Sequence, residues 1–104
     1  MSRREQLESM LVDDPTDHFL RYGLALELEA AEEHERSLEM LAGLQRELYV
    51  PAFFMAGQQL TKLDRIGEAR SVLRDGIAVA DQVGNSHAAG EMREFLTSLG
   101  QLGE

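Results

Sequence analysis

Slid along itself, the chain matches at one offset. Ala25 falls on Gly57, Leu28 on Leu60, Ser37 on Ala69 and Leu41 on Leu73, each pair 32 positions apart. Small residues meet small ones and leucine meets leucine. A self-match at a period between about 20 and 50 residues marks a repeat architecture, in which one supersecondary unit cannot bury its apolar face alone and stacks on its neighbours. A chain of 104 residues has room for two such units with a short element at each end.

The repeated unit is helical. Period-two alternation is absent, while apolar spacings of three and four recur from end to end, so the fold class is all-α. Ser2-Arg3-Arg4-Glu5 has the form of a capping box and opens a first helix at about 3–11 with Leu7, Met10 and Leu11 on one face. Asp13-Asp14-Pro15 stops it, because proline disfavours the helical region for the residue before it and has no N–H to donate. A second helix, about 17–31, carries Leu20, Leu24 and Leu28 on one stripe and Phe19, Tyr22 and Leu26 on another. The third, about 34–47, carries Leu38, Leu41, Leu44 and Leu48; the fourth, about 51–63, carries Phe53, Ala56, Gly57, Leu60 and Leu63. The fifth, about 66–83, runs through Ile66, Ala69, Leu73, Ile77 and Ala80 to Gly84-Asn85-Ser86, where glycine supplies a left-handed cap and Ser86 caps the next helix. The sixth, about 87–99, shows Ala88, Met92, Phe95, Leu96 and Leu99, and the tail from Gly100 to Glu104 is expected to fray. Connections of two to five residues make consecutive helices antiparallel. The expected architecture is an α-solenoid of antiparallel helical hairpins with about six helices.

The residues at the matched positions resemble the tetratricopeptide repeat (TPR) family. Phe53-x-x-Ala56-Gly57-x-x-Leu60 followed by Ala69-x-x-x-Leu73 is similar to the family pattern, and Arg21-x-x-Leu24-Ala25-x-x-Leu28 with Ser37-x-x-x-Leu41 is a weaker copy without the leading aromatic. Asp14-Pro15 matches the family's Asp-Pro signature, whereas Glu47 stands where the family often has proline, and the period is two residues shorter than the usual 34. The expected organisation is a single TPR-like domain over 1–104, with a capping helix at 3–13, repeats at 16–48 and 50–83, and a second capping helix at 86–99. Gly57, Gly76, Ala25, Ala69 and Ser37 are expected where a neighbouring helix comes too close for a larger side chain, since glycine inside a helix costs about 0.5–1 kcal/mol relative to alanine.

Composition excludes several functions. Ten basic against nineteen acidic side chains give a net charge of −9, and with Lys62 as the one lysine the chain lacks the cationic surface a nucleic-acid partner requires. The run Glu27, Glu29, Glu32, Glu33 and Glu35 reads as a solvated helix end. There is no cysteine, His18, His34 and His87 are too far apart for metal-ligand spacing, and the glycines form no phosphate-binding loop. Glu32 and Glu33 lie at a helix turn in water, where nothing raises a pKa for acid–base work. No enzyme, cofactor or metal is expected. No apolar stretch approaches the roughly 20 residues that span a bilayer, and no apolar segment follows Met1-Ser2-Arg3-Arg4-Glu5, so no membrane association and a cytoplasmic location are expected.

The resemblance also implies a surface. In the family, the first helices of successive repeats line a concave groove that binds peptide segments of other proteins. By alignment, that groove is made here by Phe19, Tyr22, Gly23, Leu26 and Glu29 in the first repeat and by Phe54, Met55, Gln58, Thr61 and Lys62 in the second. Tyr22 and Leu26 stand where chaperone-tail-binding members need lysine and asparagine, so that ligand is not implied. Phe19, Tyr22, Leu26, Phe54 and Met55 form an apolar stripe with three possible roles: receiving a partner protein or peptide, pairing with a second copy in a homodimer, or lying under the sixth helix as ordinary core.

Overall fold

The computed structural model describes the backbone from Met1 to Gly103 and side chains from Met1 to Gly100. Six helices and no strand occur among these residues: α1 (Arg3–Asp13), α2 (His18–Ala30), α3 (His34–Arg46), α4 (Val50–Lys62), α5 (Ile66–Gln82) and α6 (Ser86–Gly103). They group into two compact units, Met1–Tyr49 and Val50–Glu104.

Three helix starts follow side-chain chemistry. The Ser2 hydroxyl accepts a hydrogen bond from the Glu5 N–H and the Glu5 carboxylate accepts one from the Ser2 N–H, both at 3.1 Å, so the capping box is complete. The first helix runs to Asp13, two residues past Leu11, the last residue of its expected apolar face. α2 begins at His18 because Asp17 caps it, its carboxylate accepting from the Leu20 N–H at 2.8 Å. At the start of α6 the cap is Asn85, which accepts from the Ala88 N–H at 3.1 Å, rather than Ser86, which is the first helical residue. α6 also extends to Gly103, past the end expected at 99, so the tail expected to fray is helical up to that point; Glu104 lies outside the described residues.

One turn geometry closes four helices. The N–H of Glu33 donates to the Leu28 carbonyl, Tyr49 to Leu44, Arg65 to Leu60 and Asn85 to Ala80, at 2.8–3.0 Å. Each is the long-range bond of a Schellman motif, which requires a left-handed residue just before it. Those residues are Glu32, Leu48, Asp64 and Gly84, with φ of 62°, 60°, 61° and 80°. Only the last is the glycine the sequence advertises. Leu48, expected on the apolar face of the third helix, is a turn residue and is 51% exposed. Because α2, α3 and α4 each hold 13 residues and the connections between α2 and α5 hold three, helix plus turn takes 16 positions. Two of them produce the offset of 32.

Within Met1–Tyr49, Leu7, Leu24 and Leu28 form the buried centre, flanked by Leu11, Leu20 and Met40. Leu7 packs over Gly23, so Gly23 is buried beneath α1 rather than lining a groove. Ion pairs of Arg3 with Glu27, at 3.1 Å, and of Arg4 with Glu33 fasten the same helix. Ser37 and Ala25 are fully buried where α3 packs on α2, and the serine hydroxyl donates to the Ala25 carbonyl at 2.7 Å.

Within Val50–Glu104 the approach is closer still. A methyl placed on Gly57 would stand 2.7 Å from Leu73 Cδ2 and 2.8 Å from its Cγ. One placed on Gly76 would stand 2.5 Å from Phe53 Cβ and 2.7 Å from Met92 Sδ, so α5 meets α4 on one side and α6 on the other at this point. Arg70 adds a clasp by donating to the Leu99 carbonyl at 2.9 Å. The buried face of α6 is Ala89, Met92 and Leu99; Ala88, Phe95 and Leu96, expected on that face, are only partly buried.

Two stability predictions follow from this packing. Gly76→Ala lowers the unfolding free energy by about 1–3 kcal/mol through overpacking, whereas Gly90→Ala, whose new methyl meets nothing within 4 Å, raises it by about 0.4–1 kcal/mol. Leu48→Gly relieves a left-handed leucine and stabilises the protein by about 1 kcal/mol. Urea denaturation of the three variants checks both.

Candidate protein-binding surface

The residues expected to line a groove divide between the two units. On α2, Phe19, Tyr22, Leu26 and Glu29 recur at spacings of three and four and so share a face. Phe19 is 68% exposed, while Tyr22 and Leu26 are partly buried. Glu29 is engaged by the start of α3, its carboxylate lying 2.8 Å from His34 Nδ1. On α4, Phe54, Gln58 and Lys62 share a face with Met55 beside it; Lys62 is exposed and the other three are partly buried. Thr61 turns its hydroxyl to the Gly57 carbonyl of its own helix, at 2.7 Å.

Tyr22 belongs to a cluster that sequence reasoning missed. Its ring lies edge-on to Tyr49, 5.8 Å between centroids, and His18 lies 5.1 Å from the same Tyr49 ring. Beside them, Glu47 takes a two-pronged contact from Arg21, at 2.9 and 2.8 Å, and a contact from His18 Nε2 at 2.9 Å. Hydrogen bonding from Arg21, then from His18, pulls the Glu47 carboxyl down to about 2, and Glu47 in turn raises the Arg21 guanidinium. Burial, with Tyr49 adding to it, raises the Tyr22 phenol. The cluster ties the opening of α2 to the connection that follows α3. Its signal was present in the sequence: an antiparallel hairpin brings the opening of one helix to the close of the next, and Glu47 stands where the family often has proline.

On the second unit, α6 supplies the neighbour of Phe54. Phe95 meets it in a T-shaped pair, 5.7 Å between centroids and 70° between planes. The two rings line an open groove of about 310 Å³ together with Glu91 and Glu94. These three α6 residues were not among the expected groove positions. For Phe54, the sixth helix thus gives partial cover and leaves the ring lining a groove.

His18, His34 and His87 each face a glutamate, Glu47, Glu29 and Glu91 respectively. Among the described residues no three histidine, aspartate or glutamate side chains are grouped to hold a metal ion, and no helix is long and apolar enough to cross a membrane.

Two structures solved in solution share this fold. A tetratricopeptide repeat domain protein from Salinibacter ruber is 28% identical and superposes with a TM-score of 0.76 over 82% of this chain and 88% of its own. A protein from Bordetella parapertussis, 24% identical, superposes with a TM-score of 0.82 over 97% of this chain and 90% of its own. No family model and no curated protein matches the sequence. The chain has a TPR-like, all-α helical-repeat fold, of the kind that generally mediates protein–protein interaction without catalysis.

The low pKa of Glu47 sets a pH signature. The stability it contributes is present above the ordinary carboxylate value of 4.5 and is lost as pH falls toward about 2. Glu47→Gln therefore melts below wild type at neutral pH, and the two melting curves converge between pH 4.5 and about 2. Circular dichroism melts across that range check it.

Proposed function

We propose that the protein is a non-enzymatic interaction module that binds a peptide segment or partner protein through the α2 residues Phe19, Tyr22, Leu26 and Glu29 and the α4 residues Phe54, Met55, Gln58 and Lys62. The observation that carries this reading is the Phe54–Phe95 pair, two aromatic rings left lining an open groove of about 310 Å³ instead of being sealed in a core. Aromatic side chains in a groove bring large contact area at a low cost in conformational entropy, which suits them to anchor a bound chain. The fold supports the same reading, since TPR-like proteins generally act by binding other proteins.

A displayed peptide library panned on the wild-type protein is expected to yield binders that Phe54→Asp and Tyr22→Asp release, with both variants retaining helical circular dichroism. Light scattering after size exclusion, from micromolar to millimolar protein, separates this from self-association. A dimer that dissociates in Phe54→Asp assigns the face to a second copy of the chain. Failure of every peptide to depend on either residue removes the groove reading.

A further inference from the structure

Resting on that binding reading, we infer that the groove between α4 and α6 takes an arginine side chain of a basic peptide segment, the guanidinium stacked on the Phe54–Phe95 pair and paired with Glu91 and Glu94. The four lining residues are two aromatic rings and two carboxylates, with no cation among them. Another open depression, lined by Leu28, Arg36, Glu39 and Met40, carries its own guanidinium. The cations on α4 and α6 are engaged or remote from the groove. Arg93 is paired with Asp81 at 2.5 Å, and Lys62 lies two helical turns along α4 from Phe54. His87, an exposed side chain, is 3.3 Å from Glu91.

This combination selects among occupants. A purely apolar segment would cover two carboxylates and add no partner to the one contact they have, that of Glu91 with His87, which is costly, and an acidic segment would be repelled. A cation satisfies the carboxylates and is attracted by the negative faces of the rings. Between the two cationic side chains, arginine is the weaker hydrated and is planar, so it stacks on a ring while its fork meets carboxylates at the edge. The net charge of −9 draws such a segment from a distance.

The test is fluorescence anisotropy with a labelled peptide of alternating arginine and glycine, set against its lysine–glycine and glutamate–glycine counterparts. The arginine peptide is expected to bind most tightly, more weakly as salt rises, and the glutamate peptide not at all. Glu94→Gln and Phe95→Leu are each expected to weaken arginine-peptide binding by about two- to fivefold. Glu39→Gln, an equal loss of charge in the other unit, changes it less than either. Equal losses for Glu39→Gln and Glu94→Gln, or full binding by folded Phe95→Leu, would overturn the inference by reducing the interaction to diffuse charge. If Phe95→Leu does not fold, upfield shifts of the arginine side-chain protons in the wild-type complex report the stacking directly, and their absence overturns it. Panned peptides that depend on Phe54 but carry no arginine, with no binding of the arginine peptide, overturn this inference while the binding reading stands. No Phe54-dependent peptide of any kind removes both.

Discussion

The packing of α4, α5 and α6 depends on two side chains that are missing. At Gly57 and Gly76 a single methyl group would collide with Leu73, with Phe53 and with Met92, so the separation of α4, α5 and α6 is set by hydrogen atoms at two positions. That approach decides which face of α6 is inward. Met92 is held against Gly76 and becomes fully buried, and Phe95, three positions on, is turned to the flank where it meets Phe54. In the other unit the corresponding approach of α3 to α2 is made by Ala25 and Ser37 and is reinforced by a hydroxyl-to-carbonyl hydrogen bond.

The repeat length has an equally local origin. Four helices end with the same pair of backbone hydrogen bonds, and three of the left-handed residues involved are glutamate, leucine and aspartate. The closure is therefore set by the backbone bonds and by the helices it joins, which outweigh the preference of the side chain. Three-residue turns between 13-residue helices leave a period two residues below the family's usual value.

Much of this was legible in the sequence because it rests on periodicity. The offset pairing Ala25 with Gly57 and Leu41 with Leu73, together with the three-and-four spacing, was enough for the all-α, TPR-like fold. The capping box at Ser2 and the glycine turn at Gly84 were legible because propensity and structure agree there. Glu32, Leu48 and Asp64 were not, since nothing in an isolated glutamate, leucine or aspartate announces a positive φ. Phe54 could be placed on a helix face by alignment, but its neighbour Phe95 could not. The pairing of those rings depends on how α6 rotates against Gly76, which is a tertiary fact. The contact of Arg21 and His18 with Glu47 is likewise tertiary, visible only once two helices are folded back on each other.

The four residues by which α5 exceeds the 13-residue helices act as a shim. They amount to one helical turn, so they add about 6 Å of length while leaving the inward face of the helix unchanged. α6 follows this longer helix, and its tenth residue, Phe95, stands level with Phe54. Without the shim the two helices would still pack, but Glu91 would arrive at that level instead. A single turn of helix in an element that carries none of the groove's side chains thus sets which chemistry faces which.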